Sequence, residues 1–315
     1  MMFVFRYKDS ASAPGLVIDD CPVPTPRPGE VLVRVHAAGV TPTELCWYPS
    51  THNLDGTPRT GAILGHEFSG TIEAVGPGGD ETFIGRAVFG MNDWFAVGAT
   101  ADFCLAPLSS IATKPTDLSF AECAAVPIGA LTAWQGLITR AKVKRGERVL
   151  IHGGSGAVGI FAIQLARDVG TNITTTASAR NREFLKDLGA HEVIDYHTER
   201  FETSGGGFDV IFDCIGGDTL RRSWPLLAPE GRMVTIAAAS EGTSDERTRN
   251  AFFIVQPDGT QLGKIAGLLE YRSLCVFVNI LVPFSDASAA YVGTLPGKLG
   301  YGKTVIVNFQ YQTIN

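Results

Sequence analysis

The chain has 315 residues, 45% of them hydrophobic and 18% charged, which excludes a disordered chain and supplies apolar mass for two domains. Its net charge of −6, without a basic run, makes it a poor nucleic-acid binder, because phosphate contacts need clustered Lys and Arg. No apolar stretch approaches the roughly 18–20 residues needed to cross a bilayer; the longest, near 273–284, is broken by Asn279, so no membrane partner is expected.

The opening Met1-Met2-Phe3-Val4-Phe5-Arg6-Tyr7-Lys8 lacks the apolar core of a signal peptide and reads as a first strand. Pro24, Pro26 and Pro28 interrupt the chain before Glu30-Val31-Leu32-Val33-Arg34-Val35-His36, whose partial alternation predicts a strand. Short strands at 69–75 and 85–89, bounded by Gly and Pro, suggest a sandwich or barrel. Thr116-Asp117-Leu118-Ser119, ahead of an Ala-rich run, predicts a helix start. Strands at 148–152, 172–177, 191–195, 208–213 and 232–237 then alternate with helices at 157–169 and 181–188. That alternation predicts an α/β fold with a doubly wound parallel sheet. A helix at 261–270 precedes strand-like segments at 274–279 and 304–309, so the tail is expected to return to the first domain. The expected division is 1–117, 118–258 and 259–315.

Val149-Leu150-Ile151-His152-Gly153-Gly154-Ser155-Gly156-Ala157-Val158-Gly159 carries the most information. Gly154, Gly156 and Gly159 spell G-x-G-x-x-G between an apolar strand and an amphipathic helix, the context that a dinucleotide-binding reading requires. Gly154 permits the tight turn, Gly156 lets the backbone approach a pyrophosphate, and Gly159 lets helix and strand pack closely. Ser155, Ala157 and Val158 complete this loop, and the helix N-terminus behind it offers free N–H groups to phosphate. An NAD enzyme places a carboxylate about 20 residues on. Here Thr175-Thr176-Ala177-Ser178-Ala179-Arg180-Asn181 contains none, and Ser178 and Arg180 suit a 2′-phosphate. The expected cofactor is NADPH, with Asn181 at the same strand end.

Gly65-His66-Glu67-Phe68-Ser69-Gly70 is the second landmark. Together with the Pro-Arg-Pro-Gly-Glu-Val-Leu-Val-Arg-Val stretch at 26–35, Ala37-Ala38-Gly39-Val40, the Gly-rich loop, Leu188-Gly189-Ala190, Phe212-Asp213-Cys214-Ile215-Gly216-Gly217 and Gly302-Lys303, it resembles the medium-chain dehydrogenase/reductase superfamily over nearly the whole chain. The resemblance implies a GroES-like β-barrel domain beside the Rossmann domain, with the cofactor between them. Zinc alcohol dehydrogenases of that superfamily bind catalytic zinc through a Cys after Gly-Val, the His of Gly-His-Glu and a Cys at the domain junction. This chain keeps His66 but has Thr41 and Ala130 at the other two positions, and the four-cysteine zinc lobe is missing. One ligand of three does not hold the ion, so no metal is expected. His66 is then read as a hydrogen-bonded structural residue.

The pattern is similar instead to the zinc-free quinone oxidoreductase, zeta-crystallin-like branch, whose members use NADPH to reduce quinones, enones or enals. Without a metal, a saturated alcohol is a hard substrate. A conjugated carbonyl accepts hydride at its β-carbon, and hydrogen-bond donors then suffice for the charge that moves to oxygen. Thr41 and Tyr48 are candidate donors, and Trp47 with Tyr48 could wall a planar substrate. Ala237, Phe253 and Val255 are expected around the nicotinamide, and Lys303 near a cofactor phosphate. Cys214 is read as a packing residue. Cys21, Cys46, Cys104, Cys123, Cys214 and Cys275 form no CxxC, so a cytoplasmic location with free thiols is expected. The family resemblance also implies a homodimer. The rival readings are an NADPH-binding protein without catalysis and a zinc alcohol dehydrogenase.

Overall fold

The computed structural model describes residues 1–8, 15–295 and 300–308. Alternating apolar residues build the first lobe. Strands β1 (Met2–Lys8) and β2 (Gly15–Cys21) form an antiparallel ribbon. Next come β3 (Glu30–Val40), β4 (Glu67–Val75), β5 (Ala87–Met91), β6 (Phe103–Pro107) and β7 (Ile111–Thr113). Strand β3 pairs with β4 along one edge and is buried along most of its length, as a near-continuous apolar run should be. Bulges at Leu32/Val33 and Val35/Ala37 bend it, and curvature of this kind closes sheets into barrels.

The second lobe is a five-stranded parallel sheet of β8 (Arg148–His152), β9 (Asn172–Ala177), β10 (Glu192–Asp195), β11 (Phe208–Asp213) and β12 (Leu227–Thr235). Its order is β10, β9, β8, β11, β12, so the winding reverses between β8 and β11. Ligands of such sheets bind outside the carboxyl ends of the strands at that reversal. Helices Gly159–Val169, Arg182–Leu188, Gly217–Ser223 and Gly259–Glu270 accompany the sheet. Ser119 starts the connecting helix Phe120–Ala124 with a capping box: it accepts from Glu122 N while Glu122 accepts from Ser119 N.

Strands β13 (Val278–Pro283) and β14 (Lys303–Val307) return to the first lobe, where β14 pairs antiparallel with β3. The expected strand at 274–279 lies four residues too early. Leu274 is buried in the dinucleotide-lobe core, and Gln164 clamps both backbone groups of Cys275, so pairing begins only at Val278. Leu262, Ile265 and Leu269, from helix Gly259–Glu270, also belong to that core. The expected strand at 304–309 runs into Phe309, which lies outside the described residues. Among the described residues, no helix is long and apolar enough to cross a membrane.

Candidate active site

Two clusters meet where the lobes join. The first is the loop after β8. Gly153 has φ +79°, a conformation that glycine adopts without strain. A Cβ on Gly154 would lie 2.1 Å from Thr175 Oγ1, and one on Gly159 would lie 2.3 Å from Gly153 O. A Cβ on Gly156 would meet only Gly153 O, at 3.3 Å. Two glycines are therefore demanded by the protein's own packing, while the third leaves backbone open to a ligand. Ser155, Ala157 and Val158 lie between them, and helix Gly159–Val169 starts directly behind. These residues fit a dinucleotide pyrophosphate.

Ser178, Arg180 and Asn181 follow β9. Asn181 is buried, and its amide donates to Gly300 O at 3.1 Å and to Ser178 Oγ at 3.4 Å. The exposed Arg180 guanidinium lies against Gly300, where a Cβ would come within 2.7 Å of Nη2. A hydroxyl and a guanidinium thus share the end of β9, where residues 175–181 include no carboxylate; the nearby Asp195 carboxylate, at the end of β10, is engaged by the backbone at 179.

The second cluster is buried in the first lobe. Glu67 Oε2 accepts from Ile128 N at 2.9 Å, and Glu67 Oε1 is bonded to the Lys303 ammonium. Lys303 also donates to Thr41 Oγ1 at 2.9 Å. Gly39 is required here, since a Cβ would overlap the Glu67 carboxylate at 2.5 Å. Lys303 also lines a small cavity with Gly302, Phe277 and Ala125 and with Ala157 and Ile160 from the loop and helix after β8. The amine expected near a cofactor phosphate is thus 6% exposed and held by Glu67 and Thr41.

Beside this group, Glu44 Oε1 accepts from Gly65 N and contacts His66 Nδ1, both at 2.8 Å. His66 Nε2 and Glu44 Oε2 are buried without a hydrogen-bond partner among the described residues. Trp94 covers the His66 ring at 5.2 Å, and Trp47 stands edge-on to Trp94 at 4.8 Å. The Trp94 indole donates to Val255 O at 3.0 Å, so the carbonyl at 255 joins the lobes. Phe253 is buried, pairs its N–H with Thr235 O and lies 5.2 Å below the Arg140 guanidinium. Ala237 packs where a Cβ on Gly216 would come within 2.4 Å. Tyr48 is 47% exposed and lies parallel to His52, with ring centroids 4.5 Å apart. Thr41 and Trp47 therefore sit in the junction cluster, and Tyr48 sits on its outer rim. Burial, then the neighbouring Asp213 charge, pushes the Cys214 thiol well up.

Sequence reasoning missed the pairing of Lys303 with Thr41, 262 positions apart, and the lid formed by Trp94. No local pattern announces either. The Glu44 and His66 pair had a signal, an acid three residues after Thr41 and a histidine in Gly-His-Glu.

Residues 27–135 match the family described as "Alcohol dehydrogenase GroES-like domain", and residues 157–272 match "Zinc-binding dehydrogenase". A "Probable zinc-binding oxidoreductase, mitochondrial" of Arthroderma benhamiae is 29% identical, over 85% of this chain and 86% of that one. The quinone oxidoreductase of Homo sapiens is 33% identical, over 73% of this chain and 70% of that one. The solved structure of the quinone oxidoreductase from Coxiella burnetii superposes with a TM-score of 0.86 at 29% identity, covering 97% of this chain and 99% of that one. The zinc in these descriptions does not fit the donors at the junction. His66 offers one imidazole, Thr41 is bound by an ammonium, Ala130 carries no donor, and no group of three or more His, Cys, Asp or Glu among the described residues could hold a metal. The barrel lobe, the doubly wound sheet with its glycine-rich loop, and these likenesses place the chain in the medium-chain dehydrogenase/reductase superfamily, as an oxidoreductase of the quinone oxidoreductase branch.

Proposed function

We propose that this oxidoreductase uses NADPH to reduce a conjugated carbonyl, a quinone, enone or enal, without zinc. The observation that carries this reading is Lys303 on Thr41 and Glu67. A cation already occupies the position from which a zinc ligand would reach, so activation of the acceptor falls to hydrogen bonds. Thr41 Oγ1 accepts from the ammonium, which leaves its own proton to donate to an acceptor oxygen. Trp47 and Tyr48 wall the acceptor's planar face. When bound, NADPH supplies the hydride. Residues 154–159 hold its pyrophosphate, Ser178 and Arg180 its 2′-phosphate, and Ala237, Phe253 and Val255 flank the nicotinamide. Lys303, paired with Glu67, holds Thr41 in place at the junction rather than offering a free charge to the phosphates. We extend the proposal to a cytoplasmic homodimer joined along β12, an edge strand that, among the described residues, pairs beyond β11 only at the Phe252 bridge.

The test is NADPH consumption, followed by near-ultraviolet absorbance with EDTA present, against quinones, enones and enals. Turnover with NADPH and far less with NADH is expected. Arg180→Ala should weaken NADPH binding about tenfold and leave NADH unchanged, the size of one lost charge-assisted hydrogen bond. Activity abolished by EDTA overturns the zinc-free reading. Tight NADPH binding without turnover on any acceptor favours a binding protein.

A further inference from the structure

Four parallel strands end in a row of buried polar side chains. Register places Thr176 of β9 beside His152 of β8, His152 beside Asp213 of β11, and Asp213 beside Thr235 of β12. All four are at most 4% exposed. A row of this kind at the carboxyl ends of core strands is costly unless each member is satisfied.

Each member is satisfied by backbone at the mouth of the sheet or by its neighbour. Thr176 Oγ1 accepts from Gly153 N at 3.2 Å. Asp213 accepts from Ile215 N at 3.1 Å and from Gly216 N at 3.0 Å. Thr235 Oγ1 donates to Asp213 at 2.8 Å and accepts from Ala237 N at 3.3 Å. His152 joins Thr176 to Ser223 of the helix Gly217–Ser223, and it meets the Asp213–Thr235 half through strand register. Its Nε2 lies 2.9 Å from Ser223 Oγ, and Ser223 donates its one proton to Thr219 O. Nε2 must therefore carry the hydrogen, so Nδ1 is bare and accepts from Thr176, 3.1 Å away. The directions run from Gly153 N–H through Thr176 to His152, and from His152 through Ser223 to the helix Gly217–Ser223.

We infer that this row is a cofactor-positioning device, with His152 in one tautomer at its centre, setting the three backbone segments that leave β8, β11 and β12. The inference rests on the dinucleotide reading above. Gly153 opens the phosphate loop, Gly216 the turn across the reversal, and Ala237 the nicotinamide side. The row orients all three before any ligand arrives.

Thr176→Val and Thr176→Ser provide the test, read as the NADPH dissociation constant from protein fluorescence, with KM, kcat and thermal midpoint on the same samples. The valine removes the acceptor for Gly153 and the donor to His152, and should weaken NADPH about tenfold. The loss should appear in KM for NADPH with kcat largely kept, and serine should restore affinity to within about twofold. Should Thr176→Val fail to fold, 15N spectra of histidine-labelled wild type decide: Nε2 protonated, Nδ1 bare, and Nδ1 shifting when NADPH saturates. Wild-type affinity in the valine variant, an equal loss in the serine variant, or a proton on Nδ1 overturns the inference. A wild-type chain that binds no dinucleotide overturns the cofactor reading, and this inference with it.

Discussion

Lys303 and Glu67 show how a single pair holds a site together. Both are almost fully buried, so neither charge is tolerable alone. Lys303→Met should cost about 3–5 kcal/mol in urea denaturation, and adding Glu67→Gln should recover most of it. A single variant that loses under about 1 kcal/mol would mean that the pair is solvated. His152 gives a second test. Burial holds its ring neutral and lowers its pKa from 6.5 to about 4; Asp213 and Glu202 push it back up, and Arg222 pushes it down. Between those values the unfolded chain takes up a proton that the folded chain does not. Stability should therefore fall as pH drops from about 6.5 towards 4, by up to roughly 3 kcal/mol from this residue. Comparing wild type and His152→Asn across that range checks it; equal acid profiles would remove His152 as the cause.

At the scale of elements, β8, β9 and β11 were legible residue for residue at 148–152, 172–177 and 208–213. These three are short runs rich in β-branched and apolar residues, bounded by Gly, Asn and Asp. Ser119 was legible for the same local reason, since its hydroxyl and Glu122 satisfy helix-end N–H groups within four residues. Ser119→Ala should lower stability by about 1 kcal/mol in thermal or urea unfolding. No change would show that the short helix Phe120–Ala124 is held by packing alone. The segment at 274–279 was misread because its apolar pattern is real, but Gln164 and the dinucleotide-lobe core use it instead of a sheet.

For the molecule as a whole, the lobes share a core. Phe89, Met91 and Trp94 of the first lobe belong to the same apolar cluster as Val149, Ile151 and Phe212 of the second. Trp94 to Val255 and Glu67 to Ile128 add polar ties across the same junction. A dinucleotide bound there stabilises both lobes by mass action. NADPH at 100 times its dissociation constant should add about 2.7 kcal/mol to unfolding, and NADH at the same concentration markedly less. Equal stabilisation by the two would remove the 2′-phosphate assignment to Ser178 and Arg180. The sequence by itself determined the parallel sheet and the glycine-rich turn between β8 and the helix Gly159–Val169, because glycine spacing and strand period are local properties. Only the tertiary structure decided where Lys303 points, what covers His66 and how His152 is protonated. Those answers depend on partners distant in the sequence that folding brings together, and nothing in the chain near each residue names them.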